Sequence, residues 1–210
     1  MKLFIYYCPQ GFSNCYILGT DFTSEKDSAA PREAILIDPG SINSEILSLI
    51  ENNSYKLRGI LITHDHPHHV QGLKTITRIY GTKIYSINSV ISEQRTTLVH
   101  DGETIKIGPF RTEVISVPGH SSDSVVYKIG RFIFSGDVLS AGLVGTTDSS
   151  YAAATQAAAL RSKILSLPGD CTVLPGHGPP TSLEAERRFN LGLNSVELHK
   201  TRRPAFRFEF

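Results

Sequence analysis

Residues 59–69 have the sequence Gly-Ile-Leu-Ile-Thr-His-Asp-His-Pro-His-His, in which an apolar run leads directly into a cluster of histidines. Four of the eight histidines in the chain fall within six positions, where an even spread would place far fewer than one. The apolar run is typical of a strand buried on both faces. Because neutral imidazole is a common metal ligand, the stretch predicts a metal site at the end of a rigid strand. His64 and His66 can face one side and His68 and His69 the other, which suits two adjacent ions.

Three further predicted strands end on a residue that can bind metal. His120 follows the strand at 112–117, Asp137 follows the strand at 132–134, and His177 follows the strand at 171–174. Alone, each of these residues is more typical of a turn. The carboxyl ends of strands are the usual place for sites in layered α/β folds, so the four segments together predict one site. Its candidate residues are His64, His66, His68, His69, His120, Asp137 and His177.

The rest of the chain alternates between strand and helix patterns. Further strands are predicted at 3–8, 15–18, 34–37, 83–87, 104–107 and 125–129. Helices are predicted from Ser44, a candidate N-cap, to Asn53, over 70–80 and over 152–167. A last helix is predicted to begin at Thr181 or Ser182, with Glu184 three residues after Thr181 as in a capping box. A polar surface turn is expected at 21–32. Strands interleaved with helices indicate sheets packed between helical layers.

Composition narrows the class of protein. A chain of 210 residues with 40% hydrophobic residues can bury a core without disulfides. Its net charge of +1 argues against a nucleic-acid partner, and no apolar stretch approaches the roughly 20 residues that span a bilayer. Three cysteines and the lack of a signal-peptide pattern favour a reducing compartment. We therefore expect a cytoplasmic protein with no nucleic-acid or membrane partner. The oligomeric state does not follow from these patterns.

The histidine pattern resembles that of the metallo-β-lactamase superfamily, which has His-x-His-x-Asp-His, then a Gly-His, a Gly-Asp and a final His. The resemblance covers nearly the whole chain. It includes residues 14–18 (Asn-Cys-Tyr-Ile-Leu) and 34–40 (Ala-Ile-Leu-Ile-Asp-Pro-Gly), which look like the opening strands of that fold. It implies an α/β fold, the αββα four-layer sandwich, as a single domain over residues 1–210, with residues 196–210 as a candidate C-terminal tail.

The resemblance also implies a ligand set and its metals. His64, His66 and His120 would bind a first ion, His69 and His177 a second, and Asp137 would bridge the two. The implied cofactors are two divalent ions, with Zn²⁺ preferred and Fe or Mn as alternatives.

One position departs from the pattern, because His68 stands where the family has an aspartate. Exchange of a carboxylate for a neutral imidazole raises the formal charge of a two-metal centre by one. If His68 binds the second ion, the centre attracts anionic substrates more strongly. If His68 turns away, the second ion loses a ligand and is held weakly. We expect ligation, since imidazole is a good ligand for Zn or Fe.

Within the superfamily, the chain is similar to glyoxalase II-type hydrolases. The similarity lies in residues 134–139 (Phe-Ser-Gly-Asp-Val-Leu), in residues 175–179 (Pro-Gly-His-Gly-Pro), and in Thr181 with Glu184 or Glu186 and Asn190. It implies hydrolysis of a small-molecule thioester or ester, an anionic thioester included, by a metal-bound hydroxide. Ser122-Asp123 and residues 145–148 (Gly-Thr-Thr-Asp) differ from related hydrolases and bear on the substrate. The helical region that helps such enzymes bind glutathione is expected to be absent or vestigial, because the segment after His177 is short. A smaller or different thioester therefore fits the sequence as well as a glutathione thioester does.

Three alternatives stay open. The first is a persulfide dioxygenase with one iron on His64 or His66, His120 and Asp137. The second is a phosphodiesterase or nuclease, and the third is a non-catalytic metal-binding scaffold. The near-neutral charge weighs against the nuclease, and only His68 suggests the scaffold.

Several other residues have two interpretations. Asp65 either orients a neighbouring histidine or is solvated. Tyr151 either reaches a substrate or is an ordinary aromatic at a helix start. Cys8, Cys15 and Cys171 are expected to be small buried residues, and His100 and His199 to be surface residues.

Overall fold

Two six-stranded β-sheets form the centre of the molecule, which the computed structural model describes over residues 1–21 and 31–193. The strands of the first half of the chain are β1 (Lys2–Cys8), β2 (Ser13–Gly19), β3 (Glu33–Ile37), β4 (Lys56–Leu61), β5 (Ile84–Ser86), β6 (Val90–Ile91), β7 (Gln94–Arg95) and β8 (Thr97–Leu98). Six of them form the first sheet, in the order β1-β2-β3-β4-β5-β8. Strands β6 and β7 pair only with each other among the described residues.

The second half of the chain contains β9 (Thr104–Ile107), β10 (Phe110–Ser116), β11 (Val125–Ile129), β12 (Phe132–Gly136), β13 (Leu139–Ser140), β14 (Leu143–Val144), β15 (Thr172–Pro175) and β16 (Thr181–Ser182). The second sheet has the order β16-β15-β12-β11-β10-β9, and β13 and β14 form a separate hairpin beside it. The helices are α1 (Ser44–Asn52), α2 (Pro67–Val70), α3 (Leu73–Tyr80), α4 (Ser150–Ala159) and α5 (Leu183–Phe189), and α4 continues into a π-helical turn at Leu160–Ile164.

Three apolar clusters separate the layers. Along β2 and β3, successive side chains point to opposite faces, so Ile35 packs between the sheets while Leu36 packs outward against helices. The outward cluster of the first sheet includes Ile46 of α1 and Ile76 of α3. The outward cluster of the second sheet includes Leu160 and Leu183. The predicted αββα four-layer sandwich is confirmed.

Strand direction brings the predicted site segments to one edge. In the second sheet, β12 and β15 are parallel, and β10 runs the same way because it is antiparallel to β11. The first sheet meets the second at this edge, just after the end of β4. There the Val125 N–H donates a hydrogen bond to the Thr63 carbonyl (2.9 Å). The segments that follow β4, β10, β12 and β15 therefore meet there.

Most predicted elements are present, with local differences at their ends. Asn43, not Ser44, caps α1, because its side chain accepts hydrogen bonds from the Glu45 and Ile46 N–H groups. Of the two predicted starts of the last helix, Ser182 is the N-cap of α5, because its side chain accepts a hydrogen bond from the Ala185 N–H. The predicted helix over 152–167 starts earlier, at Ser150, and changes to the π-helical turn after Ala159.

Some predictions concern residues outside the described part of the chain. These are most of the surface turn at 21–32, the tail at 196–210, and His199. Within the described residues, every helix is too short or too polar to cross a membrane. The single-domain assignment over residues 1–210 stays a prediction.

Candidate metal centre

The histidine loop leaves the first sheet immediately after β4. His64 is fully buried, and His66 precedes the short helix α2, which starts at Pro67 and carries His69 on its buried side. Proline suits a first helical position because its fixed φ matches the helix and its missing N–H has no partner there. The loop and the helix thus aim His64, His66 and His69 at the edge where the two sheets meet.

The first group of potential ligands comprises His64, His66, His120 and Asp137, whose donor atoms all lie within 4.8 Å of one another. The His66 Nδ1 atom is 3.0 Å from His64 Nε2 and 3.1 Å from His120 Nε2. The Asp137 Oδ2 atom is 3.7 Å from His64 Nε2 and 3.6 Å from His120 Nε2. Three imidazoles and one carboxylate therefore converge on one point.

The second group comprises His69, Asp137 and His177. His69 Nε2 is 3.4 Å from Asp137 Oδ2, and His177 Nδ1 is 2.8 Å from Asp137 Oδ1. Asp137 belongs to both groups and offers a different oxygen to His177. The structure thus brings six of the seven predicted residues together, and their binding of metal stays a prediction.

His68 is the seventh residue, and it lies outside both groups. Its side chain is exposed, and its ring centroid is 6.0 Å from that of His177. The ring lies close to Gly11 instead. A Cβ atom added at Gly11 would be only 2.9 Å from His68 Cγ. This placement differs from the ligation that the sequence analysis expected, since the Gly11 side of the loop accommodates the ring.

The second nitrogen of four ligand candidates has its own partner. His64 Nδ1 lies 3.0 Å from Thr63 Oγ1, and His69 Nδ1 lies 3.1 Å from Asp38 Oδ2. Main-chain carbonyls serve the other two: His120 Nδ1 lies 2.9 Å from the Thr146 oxygen, and His177 Nε2 lies 3.1 Å from the Gly11 oxygen. Metal-binding histidines usually donate their other N–H in this way, which fixes the tautomer and the ring orientation.

Asp38 is a further candidate site residue, and the sequence patterns did not single it out. It follows β3, has a left-handed backbone (φ 49°), and is buried. One oxygen accepts from the Thr63 N–H (2.8 Å), and the other accepts from the Thr63 hydroxyl (2.7 Å) and faces His69. The criterion applied elsewhere, a ligand-type residue after a buried strand, would have identified Asp38.

Hydrogen bonds and burial set the pKa values at the centre. Burial lowers the pKa of His64 to about 3, so this ring is neutral. Burial opposes the charged form of His69 as well, but hydrogen bonds with Asp137 and Asp38 outweigh it and raise the pKa to about 10. Despite burial, hydrogen bonds with His177 and His69 hold the pKa of Asp137 far below its usual range. Asp137 is thus an anion placed among imidazoles.

The donor set and the space around it fit divalent transition metals. Imidazole suits Zn, Fe, Ni and Cu, and one shared carboxylate supplies negative charge between the groups. Gly176 makes room for this carboxylate, because a Cβ atom there would lie 2.2 Å from Asp137 Oδ1 and 2.5 Å from His69 Cε1.

Two cavities open beside His120. One, of about 210 Å³, is lined by Asp137, His177 and the β13–β14 hairpin. The other, of about 290 Å³, is lined by Pro118, Asp148 and Tyr151. Tyr151 is 82% exposed at this cavity, so both interpretations of it stay open.

A buried carboxylate holds the hairpin against α5. Glu186 accepts from the Gly142 N–H (3.0 Å), the Thr181 hydroxyl (2.8 Å) and the Asn190 amide (2.6 Å). Of the two glutamates that the sequence analysis considered with Thr181, Glu186 is therefore the partner. These residues position a wall of the cavity rather than contact the ligand groups.

The remaining candidates lie at the margin. The Asp65 N–H donates to Asp123 (2.9 Å), and burial and the Asp123 charge raise the pKa of the exposed Asp65 carboxyl. No hydrogen bond joins the Asp65 carboxyl to a histidine within the described residues, which favours the solvated interpretation. The three cysteines are free and buried, and His100 is exposed, as predicted.

Comparison with known proteins gives the same fold and relates the chain to hydrolases. The sequence pattern of the metallo-beta-lactamase superfamily matches residues 9–94 and 85–177. The probable metallo-hydrolase YqgX of Bacillus subtilis is 30% identical over 79% of this chain and 90% of its own length. The hydroxyacylglutathione hydrolase GloC of Haemophilus influenzae is 28% identical over 87% of this chain and 93% of its own length.

A solved structure agrees with these sequence comparisons. The crystal structure of TTHA1623 in a di-iron-bound form has a TM-score of 0.71 and 26% identity, and the alignment covers 89% of this chain and 98% of that protein. The fold, the ligand groups and the sequence match lead to one assignment. The chain belongs to the metallo-β-lactamase superfamily.

Proposed function

We propose that this protein is a metal-dependent hydrolase that acts on a small-molecule thioester or ester. The observation that carries the proposal is the position of Asp137, whose two oxygens face two groups of histidines. The partners of the second ring nitrogens support it, because they hold four rings ready for ligation.

Two divalent ions complete the proposal, with Zn²⁺ as the preferred metal and Fe or Mn as alternatives. Such ions, when bound, lower the pKa of water to about 7 and polarise a carbonyl or phosphoryl oxygen. The chain contributes the fixed rings and the shared carboxylate. It also contributes a dry floor, since His64 and His69 are 1% and 0% exposed.

The proposed substrate is a small molecule rather than a nucleic acid or a membrane. The cavities of about 210 and 290 Å³ beside His120 suit compact substituents on the two sides of a reacting group. Asp137 is the one carboxylate in the two groups, so occupied sites carry excess positive charge, which favours an anionic thioester. The Haemophilus influenzae relative supports the thioester class through its name. A cytoplasmic location is part of the proposal, supported by three free cysteines.

The test combines metal analysis with a substrate panel. Protein purified without added metal is analysed for Zn, Fe and Mn, and is then assayed with a hydroxyacylglutathione thioester, an uncharged thioester, an oxygen ester and a phosphodiester. We expect thioester or ester hydrolysis that a chelator removes and added metal restores. Full activity after chelation, or turnover of the phosphodiester alone, would exclude the proposal.

A second candidate function is a persulfide dioxygenase with one iron. The observation that favours it is the inequality of the groups, because the first has four members and the second has three, one of them shared. Oxygen consumption with a thiol persulfide distinguishes this reaction from hydrolysis, which consumes no oxygen. Iron as the sole metal together with oxygen uptake would establish this candidate instead.

A further inference from the structure

We infer that the two groups bind metal unequally: His64, His66, His120 and Asp137 hold one ion tightly, whereas His69, Asp137 and His177 hold a second ion weakly, because His68 is not its ligand. This inference rests on the metal binding in the proposed function, but it concerns stoichiometry and affinity rather than turnover.

Contacts on both sides of His68 fix its main chain. The His68 carbonyl oxygen accepts a hydrogen bond from the buried Ser13 hydroxyl (2.6 Å). On the other side it lies so close to Gly40 that a Cβ atom added there would be 2.0 Å away. The Gly72 N–H donates to the Pro39 carbonyl (2.8 Å), which holds the turn after β3 against the end of α2. The main chain at position 68 is therefore held in place, and only the direction of the side chain decides whether residue 68 reaches the second group.

The side chain of His68 uses the space that Gly11 leaves free. A Cβ atom at Gly11 would lie 2.9 Å from His68 Cγ and 3.0 Å from both Cβ and Cδ2. The same Gly11 accepts the hydrogen bond from His177 Nε2 (3.1 Å). His68 thus packs on the residue that orients His177, and its ring lies outside both ligand groups.

The ligand count and the charge then differ between the two sites. The first group supplies three imidazoles and a carboxylate oxygen. The second supplies two imidazoles and the other side of the same carboxylate. Two dications bound in adjacent groups of a partly buried site would repel each other, and carboxylates are the groups that would offset the repulsion. Because Asp137 is the one carboxylate that the two groups share, this repulsion should lower the affinity for the second ion that binds.

A metal titration tests this inference directly. The full chain, stripped with a chelator and dialysed, is titrated with Zn²⁺ by calorimetry, and the bound metal is counted by elemental analysis. We expect one tight equivalent and a second that binds at least ~100-fold more weakly, since the loss of supporting groups at metal sites costs about 10–100-fold even where the ligands stay in place.

Variants at position 68 separate the roles of charge and ligation. His68→Asp should tighten the second equivalent by ~100-fold, because it adds a carboxylate where the loop is already held. His68→Ala should leave both affinities within about twofold, because the ring is not a ligand. His100→Asp is the matched control, since it makes the same exchange at an exposed histidine outside the centre. Circular dichroism checks that each variant is folded.

Two results would overturn the inference. One is a parent protein that binds two equivalents with equal affinity, and the other is a His68→Ala variant that loses the second equivalent. The first result needs no variant and stands whether or not His68→Asp folds. Failure of the proposed function is distinct, because it appears as absent hydrolysis while the titration still reports both affinities.

Discussion

The two halves of the sandwich hold their candidate metal ligands by different means. In the first half, one loop carries the ligand candidates, and the buried side chains of Asp38 and Thr63 orient His64 and His69. In the second half, single residues come from separate strand ends. The orienting groups of His120 and His177 are main-chain carbonyls, and glycine provides the space around Asp137.

This difference separates two ways of building a rigid site. Buried side-chain acceptors can be removed by a single substitution, and one of the two, Asp38, also adds charge. Main-chain carbonyls cannot be removed, so the second half is sensitive to the space around its strand ends instead. We therefore expect charge substitutions to act on the first half and added volume to act on the second.

The largest effect is expected at Asp137, which joins the two halves. Asp137→Ala removes the carboxylate from both groups, so the affinity for both ions should fall. The rate of hydrolysis should fall by on the order of 10³-fold, which is equivalent to several kcal/mol in the activation free energy. The fold should persist because Asp137 lies at the edge of the sandwich, beyond the end of β12. Elemental analysis and a thioester assay measure the two effects. A variant as fast as the parent would remove Asp137 from the mechanism.

Gly176→Ala tests the importance of space in the second half. The new Cβ atom would meet Asp137 Oδ1 at 2.2 Å and His69 Cε1 at 2.5 Å, so the carboxylate must move. We expect metal affinity to fall ~100-fold, with an overpacking cost of about 1–3 kcal/mol in the free energy of unfolding. Gly81→Ala is the control, because its cost comes only from positive φ (60°), with open space around it. Equal metal affinity in both variants would contradict this explanation.

Asp38→Asn tests side-chain orientation in the first half. Asparagine tolerates the left-handed backbone of Asp38 (φ 49°), so the substitution removes charge with little backbone strain. The His69 ring then loses its anionic partner, and metal affinity should fall ~10-fold, at the lower end for such supporting groups. Titration calorimetry on both proteins measures the ratio. An unchanged affinity would show that the carboxylate of Asp38 is dispensable for orientation.

The smallest effect is expected from an exposed ion pair beside β10. Asp101 accepts from the Ser116 N–H (2.8 Å), and Lys163 donates to Asp101 (2.6 Å) and to the Ser116 carbonyl (3.0 Å). Burial opposes ionisation, but the bonds with Lys163 and Ser116 lower the pKa of Asp101. The ionised Asp101 therefore adds to the free energy of unfolding above the ordinary carboxyl pKa, near 3.8. This contribution is lost as the pH falls through the lower pKa of the folded state.

Asp101→Asn should therefore cost less than about 1 kcal/mol at pH 7, because the pair is partly exposed and screened. The difference from the parent should disappear near pH 2. Urea unfolding at both pH values measures it. A larger difference at low pH would reverse the assigned sign.

The sequence predicted the fold well because the apolar strands and the histidine loop are local patterns. The run at 59–63, followed by His64, needed no knowledge of distant contacts. The same is true of His120, Asp137 and His177, which follow apolar strands that run in one direction.

Other features depended on contacts that residue type does not encode. Every residue offers a carbonyl, so nothing marked Thr146 or Gly11 as the partner of a histidine. The place of His68 depended on the free space at Gly11, which is distant in sequence. The π-helical turn also went unpredicted, although its Leu160 and Ile164 are the buried residues of an ordinary apolar pattern.

The bridge between Ser13 and His177 has a consequence for the order of events during synthesis. These residues pair across the two sheets, and the Asn14 amide also donates to the Pro175 carbonyl (3.0 Å) and the Gly178 carbonyl (2.7 Å). During translation, the residues of the first sheet are synthesised well before His177. Pairings between segments that are distant in sequence also form slowly. The nascent chain therefore exposes its histidine loop without the closing strand, and the two-group centre is assembled only when translation has passed residue 178.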